Sequence, residues 1–211
     1  MIRQAGKRYL WGSLSPVACL AGGGLLIMAS DRLAHAITVT IGLIWVYCLT
    51  TIAAHTGSRI FPRRGRLILL AFLASFIACL FLFLLWLFSP YCALEMFFII
   101  SLVPLFCIGS GVYRKLEEKN LGTVLGTSFT EALAIGILII IFAVIREPFG
   151  FLSLSLPGGS QGIILLFSFE TEKLKPVRLI AGSSGALLLL GYILGFYYYL
   201  KAKNQPGEEN R

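Results

Sequence analysis

The stretch Leu67–Phe88, LILLAFLASFIACLFLFLLWLF, runs for 22 residues without a charged side chain. A helix of about 20 such residues is long enough to cross the hydrocarbon core of a bilayer, which is ~30 Å thick. A transmembrane β-barrel would instead show segments of about ten residues that alternate in polarity. The stretch therefore predicts a membrane-spanning helix and excludes a barrel.

The rest of the chain has the same character. Of its 211 residues, 57% are hydrophobic and only 13% are charged, whereas a soluble domain carries about 25% charged residues. We therefore expect an all-α integral membrane protein with a single polytopic domain over residues 1–211. Apolar stretches predict six spans, at about residues 11–30, 36–54, 67–88, 91–112, 123–145 and 179–200.

A seventh apolar segment, at about residues 149–169, is interrupted by Pro157-Gly158-Gly159 and Gly162. A helix that faces lipid must satisfy all its backbone hydrogen bonds internally, and these residues oppose that. We therefore predict a re-entrant or interfacial segment rather than a further span.

The basic residues predict an orientation. With six spans, thirteen of the eighteen Lys and Arg residues fall on one side, and the other side keeps Arg32, Arg146, Lys173, Lys175 and Arg178. Cytoplasmic loops carry the excess of Lys and Arg, so both termini are predicted to be cytoplasmic. Because topology explains the net charge of +8, we expect no nucleic-acid partner and a lipid bilayer instead.

Two predicted spans carry residues that interrupt helices. Span 11–30 contains Pro16 and Gly22-Gly23-Gly24, and span 91–112 contains Pro104 and Gly109. Each opens a block of three spans, so similar blocks would form two inverted three-helix repeats with broken first and fourth helices. The alternative is that these residues serve ordinary packing between membrane helices.

Few side chains are candidates for chemistry. Glu131 lies nine residues into an apolar span, where a carboxylate is costly, and we predict a role for it in an ion path or in an interhelical pair. Glu95 is expected to be solvated at a membrane interface. Arg146-Glu147-Pro148 is expected to anchor span five at an interface and to end its helix at the proline. His35 and His55 are too few for a histidine metal site. We expect no catalytic activity from the chain alone.

Several stretches together resemble the paired six-span membrane subunits of the Rnf and Na⁺-translocating NADH:quinone oxidoreductase (Nqr) complexes. These stretches are Gly12–Pro16, Pro104–Ile108, Lys119-Asn120, Glu131–Gly136 and Ala143–Gly150. The resemblance implies an oppositely oriented homologous partner subunit, flavin-bearing and iron–sulfur subunits in the same complex, and a bacterial inner-membrane location. It also implies that Glu131 stands where the family usually has aspartate.

In that family, the broken first and fourth helices of both partners each contribute a cysteine to a shared iron–sulfur centre, here expected as a 2Fe–2S cluster. Cys107 matches the cysteine of the fourth helix, but the position of the first is Ser15. Serine oxygen is a harder ligand than thiolate. Three alternatives follow: Ser15 is a ligand, Cys19 one helical turn later replaces it, or the centre is altered or lost.

The predicted orientation matches the E-type subunit of Rnf and the D-type subunit of Nqr. The implied function is that of a translocase subunit, coupling electron transfer between ferredoxin and NAD to Na⁺ or H⁺ movement. The alternatives are an Nqr-type NADH:quinone reductase subunit, a six-span substrate-binding subunit of a small-molecule importer, and a purely structural partner.

Overall fold

A computed structural model describes residues 24–57, 65–109, 120–158, 163–168 and 182–204. Six helices and two strands occur in these ranges. They are α1 (Gly24–Ala29), α2 (Leu33–Thr56), α3 (Arg66–Phe88), α4 (Pro90–Gly109), α5 (Leu121–Phe151), β1 (Ser153–Pro157), β2 (Ile163–Ser168) and α6 (Ser183–Asn204).

Four of the described helices, α2 to α5, are long and apolar enough to cross a membrane. They correspond to the predicted spans at 36–54, 67–88, 91–112 and 123–145, and they place the chain among multi-pass membrane proteins. Of the first predicted span, 11–30, only the last turns lie within the described residues. The sixth predicted span overlaps α6, which begins four residues later than predicted and is not among the four.

Successive helices reverse direction. The start of α2 contacts the end of α5, since the Leu33 amide donates to Glu147, and Thr51 near its other end contacts Ser128. Phe81, in the second half of α3, packs beside Gly42 in the first half of α2. Helices α2 and α4 run in the same direction, because Thr38 lies beside Cys92 and Tyr47 beside Phe106. Such alternation is what consecutive membrane crossings require.

Helix α2 lies at the centre of the described bundle, where it packs on α3, α4 and α5. It approaches α5 closely at Gly136, where an added Cβ would overlap the side chain of Thr40. The Thr40 hydroxyl donates to the Ala36 carbonyl at 2.7 Å and lies 3.4 Å from the Gly136 carbonyl. A small residue at this position lets the two backbones come together, as is usual between membrane helices.

The outward face of α3 is apolar and exposed. Phe72, Phe83 and Trp86 have half or more of their surface uncovered, although water-soluble proteins rarely expose such contiguous apolar surface. Lipid is the natural cover for this face.

Helix α5 corrects the prediction for Pro148. The proline was expected to end the helix, but α5 continues through it to Phe151. The helix ends at Leu152, which adopts a left-handed conformation (φ 52°) and whose amide donates to the Pro148 carbonyl at 3.1 Å. Proline removes one backbone hydrogen bond from a helix. Near the end of α5 that loss is small compared with the burial of Arg146, Glu147 and Gly150. With 31 residues, α5 is ~46 Å long, more than a hydrocarbon core requires.

The predicted break in the fourth span is wrong at Pro104. Helix α4 is continuous from Pro90 to Gly109 with Pro104 inside it. Neighbouring helices and polar groups commonly compensate a proline within a membrane helix, and Pro104 is buried in the bundle. Residues 110–112 of the predicted span lie outside the described residues.

The segment after α5 departs from an all-α architecture. Strands β1 and β2 form an antiparallel hairpin in which Ser153 pairs with Ser168 and Pro157 with Ile163, with a bulge between Leu154 and Ser155. Strand β1 packs against α2 and α5, whereas four consecutive apolar side chains of β2, Ile164 to Phe167, are exposed. The hairpin thus covers the end of the bundle at which α2 begins.

Candidate functional site: a polar cluster at the start of α2

The first amides of α2 are capped by side chains from other elements. Arg32 occupies the N-cap position and its side chain makes no capping bond. The first four amides of a helix lack partners within it and need acceptors from outside. The Leu33 amide donates to Glu147 Oε2 at 2.7 Å, and the Ala34 amide lies 3.4 Å from Ser155 Oγ. Helix α5 and strand β1 therefore supply the cap.

Glu147 is almost completely buried, with 1% of its surface exposed. An acidic side chain is favourably placed at the start of a helix, where the positive end of the helix dipole lies. The second oxygen of Glu147, Oε1, has no hydrogen-bond partner among the described residues. A buried carboxylate oxygen without a partner is costly, which marks this end of the bundle as chemically unusual.

Arg146 joins three parts of the chain. Its Nη1 donates to the Ile27 carbonyl at 2.8 Å and to Ser30 Oγ at 3.1 Å, and its Nη2 donates to the Gly182 carbonyl at 3.0 Å. The side chain is buried. The planar guanidinium offers five donors in a fixed geometry and holds α1, the turn before α2 and the start of α6 against α5.

His35 lies between two carboxylates. Its Nδ1 is 2.7 Å from Asp31 Oδ1, and its Nε2 is 3.0 Å from Glu95 Oε2. Asp31 precedes α2 and Glu95 belongs to α4, so the imidazole connects two elements. Nearby, the Arg32 guanidinium lies 5.3 Å from the centre of the Phe151 ring, within cation–π range. We refer to Asp31, His35, Glu95, Arg146 and Glu147 as the polar cluster.

The structure does not gather the predicted site residues into the polar cluster. Cys107 lies near the last turn of α4, fully buried, and the neighbouring Phe106 carbonyl is 3.4 Å from the Tyr47 hydroxyl. Glu131 is half-buried in α5, one turn after Ser128. Ser15 and Cys19 lie outside the described residues. The described residues contain no group of three or more His, Cys, Asp or Glu side chains that could hold a metal ion.

A second polar contact joins α2 and α5 at their opposite ends. The Thr51 hydroxyl donates to Ser128 Oγ at 2.8 Å, and both residues are fully buried. The neighbouring Thr50 hydroxyl is also buried and has no hydrogen-bond partner among the described residues. We refer to Thr51 and Ser128 as the hydroxyl contact.

The polar cluster was largely missed by sequence reasoning. Arg146 and Glu147 were expected to be interfacial anchors, but both are buried. Glu95 is exposed, as expected, but its contact with His35 was not predicted. The partners of Arg146 and Glu147 are more than thirty residues away in sequence, so no local pattern reveals them. The spacing of Asp31 and His35, four residues apart, was the one local signal for a pair.

No protein-family model matches the sequence, and no curated protein matches it either.

Proposed function

We propose that the chain is the E-type membrane subunit of an Rnf-type complex, which couples electron transfer between ferredoxin and NAD to Na⁺ or H⁺ movement. The proposal starts from the resemblance in residues 12–16, 104–108, 119–120, 131–136 and 143–150. One observation supports it best: Cys107 and Arg146-Glu147, its most specific parts within the described residues, are buried in a bundle of membrane-length helices. Residues kept only for solubility or topology would be exposed.

Cys107 is suited in chemistry to one ligand position of a 2Fe–2S cluster, because such clusters are held by thiolates. When bound, the cluster would accept and donate one electron. A cluster needs further ligands, which in this proposal come from the first span, through Ser15 or Cys19, and from the partner subunit. The isolated chain covers the Cys107 thiol completely, so the packing around it must rearrange when the partner binds.

We also propose that both termini are cytoplasmic and that the polar cluster lies at the opposite side of the membrane. The thirteen basic residues on the other side support this orientation. In the same proposal, spans one to three and four to six are inverted repeats, and Glu131 takes part in the ion path.

Purification through a tag on this chain, followed by activity measurements, tests the proposal. We expect a homologous six-span subunit and flavin-bearing and iron–sulfur subunits to co-purify, with ferredoxin:NAD oxidoreductase activity. A complex that reduces quinone with NADH instead would identify the Nqr type. Co-purification of none of these subunits would refute both.

The Cys107→Ala variant tests the role of the thiol, with Cys92→Ala as its matched control. Both cysteines are buried in α4, but Cys92 lies in its first turn, beside Thr38. We expect Cys107→Ala to abolish the electron-transfer activity of the assembled complex and Cys92→Ala to retain it. Equal activity in the two variants would reduce this chain to a structural partner.

A further inference from the structure

The two hydrogen bonds of His35 depend on how many protons the imidazole ring and its two carboxylate partners hold. A neutral imidazole has one donor nitrogen and one acceptor nitrogen, whereas an ionised carboxylate only accepts. Both ring nitrogens of His35 lie within 3.0 Å of a carboxylate oxygen. A neutral ring between two ionised carboxylates would therefore leave one pair of acceptors facing each other. One additional proton removes that conflict.

We propose that Asp31, His35 and Glu95 form a proton-binding site that links α2 to α4. The bound proton resides on the His35 ring, which then donates from both nitrogens, through Nδ1 to Asp31 and through Nε2 to Glu95. This site is independent of the function proposed above and includes none of the residues that carry the resemblance.

Access to water differs among the three side chains. The His35 side chain is 8% exposed, whereas those of Asp31 and Glu95 are 36% and 54% exposed. The two carboxylates therefore connect the buried ring to the water-accessible surface. A buried proton acceptor, the His35 ring, thus contacts two solvent-accessible ones, Asp31 and Glu95.

Other ionisable groups face this site from the surrounding elements. Cys92 of α4 lies beside Thr38, one turn along α2 from His35. Arg146 and Glu147 approach from α5 and hold the start of α2 in place, and Arg32 is directed towards Phe151. Strand β1 and the last turn of α3, Leu85–Phe88, carry no ionisable side chain.

Loss of the proton weakens the contact of His35 with Glu95, which joins α2 to α4, rather than its contact with Asp31 in the turn before α2. Asp31 is only four residues before His35, and its contact is the shorter one. The ring therefore keeps its remaining proton on Nδ1, facing Asp31. Nε2 then presents a lone pair to Glu95, and the hydrogen bond between α2 and α4 at this end is lost. The site thus makes the α2–α4 contact dependent on pH.

The chain has only two histidines, which permits a direct test. In His55→Gln, full-length chain labelled with nitrogen-15 histidine and placed in lipid nanodiscs shows the His35 ring alone. At about pH 7 we expect the NMR signals of an imidazolium with protons on both nitrogens. A neutral ring with a single protonated nitrogen would overturn the proposal.

The Glu95→Gln substitution tests the link itself, in the same His55→Gln background. A carboxylate within hydrogen-bond distance favours the charged form of its partner by roughly tenfold or more, so the ratio of charged to neutral His35 should fall by about that factor. Glu131→Gln, which removes another carboxylate from a membrane-spanning helix, is the matched control and should leave the ratio unchanged. Equal ratios in the two variants would show that Glu95 does not share the proton.

Discussion

The two ends of the α2–α5 pair are held together by different chemistry. At the start of α2, the contact depends on an acidic and a basic side chain withdrawn from water: the Glu147 carboxyl group caps the helix, and Arg146 binds three neighbouring segments. At the other end, the hydroxyl contact joins the helices with one neutral hydrogen bond. Buried charges are more costly to leave without partners than neutral hydroxyls are. The comparison predicts that substitutions at the first end are far more disruptive.

Arg146→Met should have the largest effect. The substitution removes every hydrogen bond of the guanidinium and leaves the Ile27 and Gly182 carbonyls without this donor. Removing one member of a buried charged network typically costs about 3–5 kcal/mol, and we expect a loss of that size in the free energy of unfolding, measured by denaturant titration in mixed micelles. Arg146→Lys keeps the charge and should lose less. A loss below about 1 kcal/mol in Arg146→Met would show that the two ends do not differ.

Gly136→Ala tests the close approach between the two ends. The added Cβ would overlap the Thr40 side chain, so that side chain or the helices must shift, and overpacking of this kind costs about 1–3 kcal/mol of unfolding free energy. Gly126→Ala is the matched control on the same helix, because nothing lies within 4 Å of its added Cβ. Alanine is the better helix former there and should leave stability unchanged or raise it by up to about 1 kcal/mol. Equal losses of unfolding free energy at both positions would show that the close approach at Gly136 does not limit the size of the side chain there.

The hydroxyl contact should contribute less to the free energy of unfolding than the Arg146 side chain does. Thr51→Val and Ser128→Ala each remove one partner of the 2.8 Å hydrogen bond, and the double variant removes both. A double-mutant cycle on unfolding free energies should give a coupling of about 0.5–1.5 kcal/mol. A coupling as large as the loss in Arg146→Met would erase the contrast between the ends.

Phe151→Leu should have the smallest effect. It removes the ring over which the Arg32 guanidinium lies but keeps an apolar side chain at this half-exposed position. Exposed cation–π pairs contribute about 0.5–1 kcal/mol, and we expect a loss within that range in the same titration. No measurable change would mean that Arg32 stabilises the turn only through its backbone.

Hydropathy predicted the helices well because membrane length and apolar composition are local properties. The stretch 67–88 coincides almost entirely with α3, and the other three membrane-length helices were placed within a few residues at most boundaries. The end of α5 was missed because Arg146 and Glu147 are charged and Pro148 normally disfavours a helix. Their burial depends on partners elsewhere in the chain, such as Leu33, which is 114 residues from Glu147.

The polar cluster likewise depends on partners distant in sequence, which limits how much of the candidate site the sequence can predict. A single glutamate within an apolar span, such as Glu131, is visible in a sequence, and so is a cysteine within a motif, such as Cys107. A histidine between two carboxylates becomes visible only when the starts of α2 and α4 are placed side by side. Arg146 and Glu147, near the end of a predicted span, were treated as interfacial anchors, whereas both are buried.

The proposed function is tested most directly by measuring iron and acid-labile sulfide in the complex purified through this chain. The account predicts one 2Fe–2S cluster fewer per complex in Cys107→Ala than in Cys92→Ala, with the same subunits present in both. Equal iron and sulfide contents in the two variants would contradict the assignment of Cys107 as a cluster ligand and, with it, the electron-transfer role of this subunit.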